Sequence, residues 1–192
     1  MMKVETNIAL KEWAVAIRAL GNGEQILLMR KGGIREETRH FEVQSNKFLL
    51  YPTYEHQKAH LLKEEKQGEL QETLADWSAE DSMVTLQYYA ELVEDIEILD
   101  DEMLQRVDAH HIWTREFASE RLKWKKKLPL HLFLVRVYQL EQPIPVEIKD
   151  EYLGCKSWIE LPTKVLGKKA SPVLDEHAFS EEVARIHTEL QN

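Results

Sequence analysis

The sequence predicts an α+β fold: a mostly antiparallel, curled sheet that approaches a barrel, with flanking helices and a C-terminal amphipathic helix. Three observations predict it. Apolar strand-like runs and helix-like runs alternate irregularly along the chain, which is the pattern of α+β architectures. Short loops rich in Gly, Asn and Pro recur between the runs, as hairpins require. Residues 83–92 alternate Val84, Leu86, Tyr88, Ala90 and Leu92 against Thr85, Gln87, Tyr89 and Glu91, the period of two that marks a half-buried strand.

Taken in order, Glu12–Leu20 and Gln25–Arg30 flank Gly21-Asn22-Gly23-Glu24, so the spacing predicts a hairpin. Gly32-Gly33 breaks its second strand. Phe41–Tyr51 reads as a strand ended by Pro52, because proline cannot donate to a ladder. Thr53 is placed to cap a helix over Tyr54–Glu65. Lys66–Ser82 is acidic and weakly periodic, the pattern of a mobile connecting loop. Asp100–Val107 and Thr114–Lys126 follow as helices, the first with Asp100 and Asp101 at its positive end, the second barred from continuing by Pro129. Leu130–Leu140 is the most apolar strand, and Tyr152–Leu161 the last. Ser180 caps a helix over Glu181–Leu190 with Val183, Ile186 and Leu190 on one face. The expected organisation is one domain over 1–165, then a linker and helix over 166–192.

At 192 residues the chain is long enough to bury a core without staples, and its one cysteine, Cys155, forbids an intrachain disulfide. The start shows no basic n-region with a long apolar core, and no apolar run approaches the ~20 residues a bilayer needs. The expectation is a soluble, cytoplasmic protein that takes no membrane partner. A net charge of −9 opposes nucleic-acid binding over the whole surface and leaves room for a local basic patch.

That patch is Trp113–Lys127. Trp113, Phe117, Arg121 and Trp124 fall on one helical stripe, and a guanidinium on an apolar stripe requires a carboxylate, carbonyl or phosphate partner. Lys123, Lys125, Lys126 and Lys127 crowd the helix's negative end, where the dipole favours cations; lysines beside aromatic rings are also what a nucleic-acid surface uses. Arg30 and Lys31, beside Gly32 and Gly33, make a candidate anion nest. His56, His60 and Glu64, spaced i, i+4, i+8 on the expected helix, would form a ligand set for a divalent metal such as zinc, manganese or iron. His111 is the candidate catalytic acid or base. Glu147-Ile148-Lys149 matches a metal-nuclease strand tail, without the upstream partner that chemistry needs. These residues support a nucleic-acid- or nucleotide-associated protein that grips phosphates through a basic aromatic helix. The alternatives are a metal-dependent hydrolase or phosphodiesterase using His56, His60 and Glu64, and a non-catalytic protein-interaction module. Oligomeric state is not encoded in any of these features.

Two blocks carry a family resemblance. The first is RKGGI at 30–34 with FLLYPTYEHQ at 48–57. The second is HHIWT at 110–114, Arg121 with Trp124, LFLVRVYQL at 132–140 and YLGCKSWIEL at 152–161. Together they resemble an uncharacterised bacterial family, a domain of unknown function, over most of residues 8–165, and the resemblance implies no activity. ILLMRKGG also resembles the first core strand of Nudix hydrolases, whose Gly- and Glu-spaced box is absent. The second half is similar in strand order alone to PUA-like RNA-binding barrels.

Overall fold

The computed structural model describes residues 1–32, 46–124 and 126–192. Among them the strands are β1 (Met2–Lys3), β2 (Ile8–Trp13), β3 (Leu27–Lys31), β4 (Lys47–Thr53), β5 (Met83–Ile98), β6 (Leu130–Glu147), β7 (Trp158–Glu160) and β8 (Lys169–Pro172). The helices are α1 (Ala14–Gly21), α2 (Glu64–Ala75), α3 (Asp101–Arg106), α4 (Arg115–Lys123) and α5 (Glu176–Gln191). The fold is α+β, as expected. One sheet runs β1-β8-β6-β5-β4-β2-β7, with β3 also paired to β6, and it does not close into a barrel. Every pairing is antiparallel except β2 with β4.

The long β5–β6 ladder is the spine. Both strands outrun their expected ends: β5 continues to Ile98 and β6 through Pro143 and Pro145 to Glu147. The two prolines are tolerated because β8 pairs with β6 only as far as Leu140, so beyond it β6 has a neighbour on one side. Register shifts between Leu86 and Tyr88 and between Leu92 and Glu94 bend β5. One core cluster gathers Leu10, Phe48, Leu50, Phe133, Val135 and the helices. A second, on the other face, gathers Tyr51, Tyr89, Tyr138 and Tyr152.

Several local expectations are corrected. The run Ala14–Leu20 is helix α1, not the first arm of a hairpin; its alanines favour helix, and six of its eight residues are buried. Its partner β3 pairs with β6 instead. Of the strand expected over 41–51, residues 41–45 lie outside the described residues, and the described part runs on through Pro52 to Thr53. No α-helix forms over 54–63, where the chain makes only a 3-10 turn at Ala59–Leu61. Thr53 spends its hydroxyl on Glu12 O (3.1 Å) instead of capping, and Tyr54 stacks on Trp77 with ring centroids 5.5 Å apart. The helix begins ten residues later as α2, over Glu64–Ala75, where a loop was expected. Helix α5 starts at Glu176, capped by Asp175, whose carboxylate accepts from Ala178 N–H at 2.8 Å; Ser180 is inside the helix. The stretch after residue 165, expected as a linker, contains β8, which joins the sheet between β1 and β6. Among the described residues no helix is long and apolar enough to cross a membrane.

Candidate functional site

Helix α4 begins where Thr114 caps it, its hydroxyl accepting from Phe117 N–H at 3.2 Å. The aromatic stripe the sequence places along this helix runs from core to surface. Trp113 is 2% exposed and its ring lies 5.8 Å from Phe117; Trp13, at the end of β2, lies 5.5 Å from Phe117 on another side. The Arg121 guanidinium comes next, 5.4 Å from the Phe117 ring and 5.6 Å from the Trp124 ring. Trp124 ends the stripe at 50% exposure. Lys123, Lys126 and Lys127 are exposed around it, and Lys125 lies outside the described residues. A cation held over aromatic faces is attracted by the ring quadrupole, which fixes Arg121 at this corner.

The two basic residues of β3 meet different fates. Being consecutive in a strand, they point to opposite faces. Lys31 is 7% exposed, and its ammonium donates to Leu122 O (2.6 Å) and Leu128 O (2.9 Å). Gly32 N–H donates to Pro129 O at 2.7 Å. These three bonds tie the basic segment after α4 to the sheet edge. Burial, then the neighbouring Arg121 charge, holds the Lys31 ammonium below the ordinary lysine range. Lys31 is therefore a brace for the basic corner. The expected anion nest is not formed by Gly32, whose N–H is committed to Pro129, and Gly33 lies outside the described residues. Arg30 faces the other way and pairs with Glu12 at 3.3 Å, both side chains buried.

Beside that pair lies a polar row that sequence reading missed. His131 is Arg30's register partner on β6 and Glu97's on β5. Its Nδ1 is hydrogen-bonded to Asp95, and its Nε2 is buried with no partner among the described residues. Glu12, Arg30 and His131 are each under 9% exposed. The available signal was a histidine inside the otherwise apolar LHLFLV run, opposite the acidic residues of EDIE at 94–97.

The remaining candidates are not brought to this corner. His56 lies in the turn after β4, His60 in the single 3-10 turn Ala59–Leu61, and Glu64 opens α2; all three are exposed. The shared helical face that was to align them does not exist. Among the described residues no group of three or more His, Cys, Asp or Glu side chains is placed to hold a metal ion. His111 is 5% exposed. Burial first, then the Lys63 ammonium, lowers its pKa to about 4, and its Nδ1 accepts from Trp113 N–H at 3.2 Å. Its ring is neutral at ordinary pH and packs 6.0 Å from Trp113, as part of the wall beneath α4.

No curated protein matches the chain. Among solved structures, ASCH from Zymomonas mobilis is 12% identical, covering 92% of this chain and 93% of its own, with a TM-score of 0.46. A serine-to-alanine variant of the same protein is 9% identical, covering 95% and 97%, with a TM-score of 0.47. The motif blocks at Arg30–Gln57 and His110–Leu161 fall inside a stretch with a specific match: the model of a domain of unknown function, DUF1802, covers residues 9–185, and the chain belongs to that family.

Proposed function

We propose that the basic end of α4 binds nucleic acid or a nucleotide, with Lys123, Lys126 and Lys127 meeting phosphates and Trp124 meeting a base. One observation carries the reading. Trp124 is a half-exposed indole with the Arg121 guanidinium over its ring and exposed lysines at 123, 126 and 127 beside it in the chain, on a protein whose net charge is −9. Large aromatic side chains are rarely left half in water, and a solvent-facing indole among cations is the arrangement that single-stranded nucleic-acid sites use. The brace from Lys31 gives the segment a fixed shape before any ligand arrives, which lowers the entropic cost of binding.

The test is fluorescence anisotropy of short labelled single-stranded RNA and DNA. With three phosphate contacts on a single strand, the slope of log affinity against log salt is about −2, so affinity falls ~15-fold for a fourfold rise in salt. Trp124→Ala weakens binding by ~10-fold, the worth of one stacked base. Lys126→Glu with Lys127→Glu removes most of the salt dependence. An unchanged anisotropy at low salt and high protein concentration overturns the proposal, as does binding that survives the double charge reversal.

A further inference from the structure

Helix α5 is fastened to the domain through an imidazole held between two carboxylates. His110 closes the short 3-10 turn Asp108–His110 and is 9% exposed. Its Nδ1 lies 2.6 Å from Glu182 Oε1, and its Nε2 lies 2.7 Å from Glu189 Oε2. Glu182 and Glu189 are two turns apart, so they project from the same side of α5. An ionised carboxylate only accepts. Satisfying both contacts therefore takes two protons within the cluster, one more than a neutral ring beside two carboxylates provides.

The groups facing this cluster set which contact is weaker. From α5, Arg185 donates to Glu182 at 2.8 Å. Burial pulls the Glu182 carboxyl up, yet the bonds from His110 and Arg185 outweigh it and hold it below the usual carboxylate range. Glu189 is 41% exposed at its side chain, against 21% for Glu182, and bonds only to His110 among the described residues. From the domain side, Asp108 faces Lys63 at 3.9 Å and Arg115 at 3.6 Å, and the neutral His111 ring lies next in the chain. Arg106 donates to Leu190 O at 3.2 Å and to Glu102 at 2.9 Å. A second imidazole, His187, lies 2.6 Å from Glu94 on β5, and Arg136 pairs with Glu176 at the helix start. Phe179 and Ile186 are buried beneath the helix and anchor its first three turns by packing.

We propose that His110, between Glu182 and Glu189, is a proton-operated latch on the last turns of α5, closed while the cluster holds its second proton and open once that proton is lost. Imidazole is the side chain whose charge changes between about pH 5 and 8. When the ring keeps a single N–H, that hydrogen stays with Glu182, which Arg185 fixes and burial shelters. The Nε2 lone pair then faces the Glu189 carboxylate, two acceptors with no hydrogen between them. Glu189 turns out to water, and the segment from His187 to Gln191 loosens. Both carboxylate contacts carry a hydrogen only while that second proton is present, so docking is strongest in mildly acidic solution and weakens as pH rises. At still lower pH, protonation of Glu182 removes the ion pair and weakens docking again.

Hydrogen exchange on the full chain tests this, read at the backbone amides of 187–191 and corrected for the intrinsic effect of pH. His187→Gln silences the second imidazole and serves as the parent protein. Protection in the parent falls on the order of tenfold from about pH 6 to about pH 8.5, the effect of losing one charge-assisted hydrogen bond. Amides near Phe179 change much less. Adding Glu189→Gln removes the fall, because an amide accepts from the ring N–H or donates to its lone pair and so fits both protonation states. A flat profile in the parent, or an equal fall in the Glu189→Gln protein, overturns the latch.

Discussion

His111 makes the acid stability of this domain calculable. The ring is 5% exposed, and burial together with the Lys63 charge lowers its pKa to about 4 from the ordinary 6.5. In the unfolded chain the same ring takes up its proton near the ordinary value. Between those two values the unfolded state therefore binds the extra proton, and folding stability falls as pH falls. At 1.36 kcal/mol per unit, the loss accumulated from pH 6.5 to 4 is about 3 kcal/mol, a large part of a typical domain's margin. Carboxylates titrate in the same range, so the measurement is a difference. His111→Asn places an amide oxygen where Nδ1 accepts from Trp113 N–H and removes the titration. Urea denaturation of both proteins at intervals across this range should show the parent losing ~3 kcal/mol more than the variant as the pH drops, whatever their offset at neutral pH. Parallel curves would refute the reasoning, and would mean that the ring takes up its proton in the folded protein as readily as in the unfolded chain.

Other consequences follow from single contacts. Lys31→Met removes two ammonium–carbonyl bonds from a buried brace and costs about 2 kcal/mol in urea denaturation, while leaving the salt slope of oligonucleotide binding unchanged; a shallower slope would make Lys31 a phosphate ligand instead. Glu12→Leu removes the buried carboxylate from its contact with Arg30 and costs about 3 kcal/mol, and adding Arg30→Met recovers part of it, because apolar packing replaces the buried pair. A double variant no more stable than the single one would sink that account. Burial, then the neighbouring Tyr152 and Tyr54, pushes the Tyr51 phenol up to about 12, so the folded chain keeps its proton while the unfolded chain loses it from pH 10 upward. Stability should therefore decline across pH 10 to 12 less steeply in Tyr51→Phe than in the parent, measured by thermal melting.

Legibility in the sequence tracks how local the deciding interaction is. The α+β class, the strand at 83–92, the short helix after Asp100, the helix start at Thr114 and the family membership were all readable, because each rests on periodicity, a helix-end signal or a contiguous motif. The 12–20 run was ambiguous: Ala14, Ala16 and Ala19 suit helix, while Gly21–Glu24 suits a hairpin turn. Tertiary pairing decided it, since β4 and β7 flank β2 and leave the alanines to pack as α1. The helix placed over 54–65 failed for a similar reason. The Thr53 hydroxyl and the Tyr54 ring have partners 41 and 23 residues away along the chain, at Glu12 and Trp77, and no local rule sees those. The His56–His60–Glu64 alignment depended on that helix and went with it.

The basic corner and the polar row illustrate the same division at the level of chemistry. Arg121 and Trp124 were legible as a pair from their three-residue spacing; the helix ends at Lys123, yet the guanidinium still lies 5.6 Å from the Trp124 ring. That Lys31 would join them from β3 as a brace was not legible, because its partners are carbonyls, which carry no residue signature. The Glu12–Arg30 and Asp95–His131 contacts join residues from four strands, and only the β3–β6–β5 register aligns Arg30 with His131 and Glu97. A buried ion pair contributes little net stability against an apolar replacement of the same shape. Two buried acid–base contacts side by side, one leaving an imidazole nitrogen unsatisfied, therefore cost the fold more than leucines would. This row sits where β6 is paired on both sides, with Asp95–Ile98 of β5 against Leu130–Phe133 and β3 bonded to the far side, so the surrounding ladders hold the polar groups in place.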